Sequence, residues 1–196
     1  MPLCVMSVLM LLIAHASGFV CDPARCKRSH GIYASIFLAA LLIIRRLEIA
    51  FSPEVVLNSA AVTFVIAAVI SYAWRRESGA NAFIIFALSI VLSLAFHLPS
   101  KLLSQDAGLL ACGLLATGAN IVLKGNGRSL LLVCALSVLM FETEKTLLML
   151  ITTGYCYFEL ASNSLDRMMI CALFTGFAHG IVNWSTKAKA SDAIRA

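Results

Sequence analysis

The feature that most constrains this chain is a series of long apolar runs, at 3–20, 31–44, 55–74, 80–98, 107–123, 129–160 and 168–184, separated by short polar clusters. A hydrocarbon core is crossed by about 20 consecutive apolar residues in a helix, and most of these runs approach that length. They lack the period-2 alternation of barrel strands, so strands are not expected. The clusters between them are the kind that end a membrane helix: Arg45-Arg46, Arg75-Arg76-Glu77 after Trp74, Pro99, and the turn-forming 124-KGNGR-128.

Composition supports the same frame. The chain is 61% hydrophobic and 13% charged, against about 25% charged for a soluble domain. Such a chain has too few polar groups to cover a water-facing surface. The expectation is an all-α, polytopic transmembrane helix bundle of about seven helices (six to eight) with short loops, forming one domain over residues 1–196. Residues 3–20 read either as a first transmembrane helix or as a signal peptide. The A-x-A pattern at Ala14-His15-Ala16 favours cleavage, and the missing basic n-region opposes it. Residues 185–196 read as a polar tail.

The net charge of +5 sits in clusters at the ends of runs, where it sets orientation or meets anionic headgroups. No basic patch interleaved with aromatics argues for nucleic acid. Of the seven cysteines, Cys112, Cys134, Cys156 and Cys171 read as small apolar residues within runs. Cys21 and Cys26 share a polar loop at C-x4-C spacing. An oxidising compartment would permit a disulfide between them, and a reducing one would leave two thiols.

The run 129–160 breaks the pattern. As one helix its 32 residues would extend about 48 Å, well beyond the roughly 30 Å of a hydrocarbon core. It also carries 142-ETEK-145 in its middle. Either these residues form a turn between two short helices, or they lie inside one helix as a buried polar site. Distributing Lys and Arg over alternate loops gives eight against seven if the run crosses twice, and ten against four, with Lys145 left inside the membrane, if it crosses once. The positive-inside rule prefers the single crossing, which places the C-terminal tail in the cytoplasm. In a continuous helix Glu142 and Lys145 are i,i+3 neighbours that can pair. Glu142, Thr146, Met149 and Thr153 then share a face, with Glu159 beyond them.

Three sets of residues are candidates for function. Glu142, Glu144, Lys145 and Glu159 are candidates for a polar or ion pathway, with inter-helix hydrogen bonding as the plainer alternative. Gly108, Gly113 and Gly118 lie on nearly one helix face, where small residues let helices approach closely. His97, Asp106 and His179 are the residues that would hold a metal. No H-x-x-x-H or H-E-x-x-H spacing puts two ligands on one helix face, so a metal site is disfavoured and no cofactor is expected. The expected role is a non-enzymatic accessory or scaffold subunit of a larger membrane assembly, cellular or viral. A small transporter or ion-conducting protein and an intramembrane metal-dependent hydrolase are the alternatives. The expected partners are the lipid bilayer and other membrane proteins or further copies of the chain, not nucleic acid.

Overall fold

The computed structural model describes the backbone of residues 28–73, 79–97, 105–123 and 127–195, with scattered positions before residue 14. In these residues the order is α1 (Arg28–Ile44), β1 (Glu48–Ser52), β2 (Val55–Asn58), α2 (Ser59–Ala73), α3 (Gly79–His97), α4 (Gln105–Val122), α5 (Gly127–Thr153), β3 (Phe158–Leu160) and α6 (Ser162–Arg195). Helix α3 packs along α5, and α4 along α6; α2 and α6 also lie against α5. Leu41, Phe64, Phe96, Val133, Val138, Leu165 and Met168 meet in the buried core.

The strands are the first departure from expectation. The segment 48-EIAFS-52 holds the strand-favouring Ile49 and Phe51 at i,i+2, and Pro53-Glu54 turns the chain back into 55-VVL-57, with β-branched Val55 and Val56. The pairing is antiparallel between β1 and β2, with a bulge near Phe51, and parallel between β2 and β3. The run 55–74 is therefore divided: its first four residues are strand and its helix starts at Ser59. Asn58 makes the division. Its side-chain Oδ1 accepts from the backbone N–H of Ala60 (3.1 Å) and Ala61 (3.3 Å), capping α2. Its Nδ2 donates to the Arg45 carbonyl at 2.7 Å, tying the end of α1 to the start of α2.

The second departure corrects the membrane-crossing reading. Among the described residues, no helix is long and apolar enough to cross a membrane. The physical reason is that polar residues and element ends cut the apolar runs short. Helix α2 keeps only 15 residues once β2 takes its share of the run. Helix α1 opens with Arg28, Ser29 and His30, and α4 with Gln105 and Asp106. Helix α3 holds Asn81 near its start and ends at His97. The two longest helices carry charges: Glu142, Glu144 and Lys145 within α5, Asp166 and Arg167 within the first turns of α6. The expected polytopic transmembrane bundle is thus replaced by a helical bundle with a small three-stranded sheet. The multi-pass location, the orientation of the tail and the membrane-crossing subunit or transport roles rested on crossing helices, and they fall with them. Residues 185–195 form the last turns of α6.

The problem of 129–160 resolves as one helix followed by a strand. Helix α5 runs unbroken through 142-ETEK-145 to Thr153. Gly154, at φ 75°, ends it in the left-handed conformation that glycine adopts without strain. Its N–H bonds the Leu150 carbonyl at 2.9 Å. The chain then returns to place Phe158–Leu160 beside β2. The possible signal or first helix at 3–20 is described only at isolated positions, and Cys21 and Cys26 lie outside the described residues.

Candidate polar site on helix α5

Successive residues of a helix point about 100° apart, so Glu142 and Glu144 point about 200° apart around α5. The structure uses that divergence to bind two different neighbours. Glu142 turns inward and is 4% exposed. Its Oε1 accepts from Ser164 Oγ at 2.7 Å and from Arg167 Nη1 at 3.1 Å, both on α6. Its Oε2 lies 3.8 Å from Lys145 Nζ, the i,i+3 pairing expected from the sequence. Glu144 points to α3, where Ser93 Oγ donates to its Oε2 at 3.2 Å and His97 Nε2 lies 2.8 Å from the same oxygen. Ser93 and His97 are i,i+4 on α3 and so share a face.

Aromatic rings join the two carboxylate systems. The Arg167 guanidinium carbon stands 4.1 Å from the centre of the Phe141 ring and 5.8 Å from that of Phe96. This is the distance range in which a cation is attracted to a ring face. The His97 ring lies 4.6 Å from Phe141. Burial lowers the Arg167 pKa below its ordinary value, while Glu142 and Cys112 oppose that shift. The half-buried guanidinium lies on the buried carboxylate, so neither charge is stranded in a low dielectric. Thr146 completes the site. Its hydroxyl donates to the Glu142 carbonyl (2.8 Å) and to the Tyr157 carbonyl (3.0 Å), pinning the returning chain to α5.

The arrangement is a clasp among three helices. It does not have the connectivity of a nucleophilic triad, in which the hydroxyl bonds the imidazole and a carboxylate orients the imidazole from behind. Ser93 and His97 instead converge on one carboxylate oxygen.

Glu142 and Lys145 pair on α5, whereas Glu144 of the same helix turns away to Ser93 and His97 on α3. Glu159 stands apart on β3, in register with Val56, not on the extension of the α5 face. Gly113 lies where α4 meets α6: a Cβ there would fall 2.5 Å from the Phe174 ring. A Cβ on Gly118 would meet nothing within 4 Å. The surroundings of Gly108 lie outside the described residues, as do the side chains of Asp106 and His179. Among the described residues no group of three or more His, Cys, Asp or Glu could hold a metal, and His97 is engaged with Glu144.

Cys112, Cys134 and Cys171 are buried in the core, whereas Cys156 is exposed. Burial pushes the Cys112 thiol up to about 11, against the pull of Arg167. Cys171 is also pushed up, by its hydrogen bond with Cys134 and then by burial.

Sequence reasoning misses Ser164, Arg167, Ser93 and Asn58. Arg167 reads only as a loop charge, yet Ser164 and Arg167 have the i,i+3 spacing that puts two donors on one helix face. No family model, curated protein or solved structure matches the chain.

Proposed function

We propose that this protein works by non-covalent association through apolar surface, with the three-helix clasp holding the bundle that presents it. The observation that carries this reading is the placement of large apolar side chains outside the core. On α3, Phe83 (75% exposed), Phe86, Ile90 and Leu94 form a stripe at helical spacing, with Ile84 and Val91 beside it. Leu147, Leu148 and Ile151 stand out from α5, and Ile66, Val69 and Ile70 from α2. Single exposed apolar residues are ordinary, but contiguous ones mark a surface that something covers. The clasp carboxylates support the same reading, because each is already engaged by side chains of a neighbouring helix.

Retention of the native protein on a phenyl matrix at low salt tests the proposal, with thermal unfolding followed in parallel. The expected result is strong retention, reduced in Phe83→Glu/Phe86→Glu without loss of the unfolding transition. Wild-type protein that elutes with the void while folded would overturn it.

A further inference from the structure

Among the described helices, the last two turns of α5 differ from every other exposed apolar segment; outside helices, strand β1 is likewise exposed on both faces. Elsewhere one side of a helix is buried and the other is not. From Leu147 to Ile151 all five residues are exposed, which at 100° per residue covers the whole circumference of the helix. The exposed positions continue through Thr152, Thr153, Gly154, Tyr155 and Cys156. The segment is therefore a knob: the helix climbs from Thr146 to Thr153 and turns at Gly154. The Thr146–Tyr157 bond brings the chain back to its starting level. At 1.5 Å per residue the knob stands about 11 Å high.

Three properties of the knob indicate what surrounds it. First, a flat or grooved protein partner covers one side of a helix, whereas this one is apolar on all sides. A helix apolar all round is found within a protein core or in lipid. Second, its two threonine hydroxyls are satisfied internally. Thr152 Oγ1 donates to the Leu148 carbonyl (2.8 Å) and Thr153 Oγ1 to the Met149 carbonyl (2.7 Å), while the Leu150 carbonyl receives the Gly154 N–H. A medium that offers no hydrogen bonds demands such closure. Third, at about 11 Å it is tall enough to span the roughly 5–10 Å by which apolar faces enter the boundary between headgroups and acyl chains. Lys145, 57% exposed, lies just below its base, at the level where a cation meets anionic headgroups.

We infer that the 147–155 knob inserts into one leaflet of a lipid surface, without crossing it, and docks the bundle there. This rests on the association reading above and names its partner for one surface. A knob of this height reaches only part of one leaflet, which agrees with the absence, among the described residues, of a helix able to cross a membrane.

The test uses the full chain with Leu148→Trp in a Trp74→Phe/Trp184→Phe background, mixed with phosphatidylcholine vesicles containing about 30% phosphatidylserine. The vesicles carry bromines at defined acyl depths. The expected result is a blue-shifted emission from the single indole introduced on the knob, quenched most by bromines near the headgroup end of the chains. Vesicle co-sedimentation should fall roughly 100-fold in Leu148→Lys/Ile151→Lys, from the loss of two buried aliphatic side chains. Alkaline carbonate should release the bound protein. No quenching in a folded protein that still binds the phenyl matrix would overturn the lipid assignment and leave the association reading, with a protein pocket as the occupant. Loss of both signals would remove the association reading as well. Bound protein that resists carbonate would contradict one-leaflet insertion.

Discussion

Helix α5 treats its two halves in opposite ways. Its first half and centre, from Leu130 to Glu142, bury leucines, Val133, Phe141 and finally a carboxylate. Its last two turns leave leucines and an isoleucine uncovered by the rest of the chain. A soluble helix ordinarily puts its charges outside and its leucines inside. The inversion shows that burial along α5 follows the neighbours available, not side-chain polarity. At the level of Glu142, α3 and α6 close around α5 and bring Ser93, His97, Ser164 and Arg167 with them. Above Thr146 the apolar residues of α5 stand in the open. The lower half holds the molecule together, and the upper half is free to meet something else.

The largest expected effect breaks the lower half. Glu142→Ala leaves the half-buried Arg167 and the buried Ser164 without their carboxylate and should destabilise the fold by about 2–4 kcal/mol in denaturant unfolding. The double change Glu142→Leu/Arg167→Met removes both charges together and should recover most of that loss. If the double variant is as unstable as the single one, the clasp is not an electrostatic unit.

A smaller contrast of the same kind lies on α4. Gly113→Ala sets a methyl group against the Phe174 ring and should cost about 1–3 kcal/mol. Gly118→Ala meets open space and should stabilise by roughly 0.5–1 kcal/mol through helix propensity. Equal effects at the two sites would mean that α4 and α6 are not packed as described.

The interior half also predicts a pH response. The native Cys112 thiol holds its proton up to about pH 11, while an unfolded thiol loses it near pH 8.5. Between those values the unfolded state binds fewer protons, so stability falls as pH rises, by at most about 1.4 kcal/mol per pH unit for this group. Unfolding midpoints of wild type and Cys112→Ala from pH 7 to pH 10.5 should therefore converge toward the alkaline end. Parallel curves would place Cys112 in water.

The upper half gives the smallest effect on stability. Ile151→Lys changes a side chain that is 73% exposed and should move the unfolding free energy by no more than about 0.5 kcal/mol. The same change should weaken vesicle binding measurably.

The legibility of the sequence follows the same division. The helices of α3, α4 and α5 can be read from their apolar runs, and the Glu142–Lys145 pair from its i,i+3 spacing within one helix. Counting apolar residues cannot show that Asn58 caps a helix and gives 55–58 to a strand, nor that 48-EIAFS-52 finds partners. Those outcomes depend on Arg45 and on Phe158–Leu160, which are distant in sequence. The fate of the charges is hidden for the same reason. Glu142 in an apolar run reads as a pathway residue until Arg167 and Ser164, more than twenty positions later, arrive beside it. Reading long runs as membrane crossings weighs total apolarity and neglects the polar residues that interrupt them.

The most direct test of the divided helix is hydroxyl-radical footprinting of the native, lipid-free protein, read residue by residue along α5. Rapid oxidation is expected at Leu148, Met149 and Ile151, with Phe141 and Val138 protected until the protein unfolds. Protection at Leu148 and Ile151 together with rapid oxidation of Phe141 in the folded protein would contradict it.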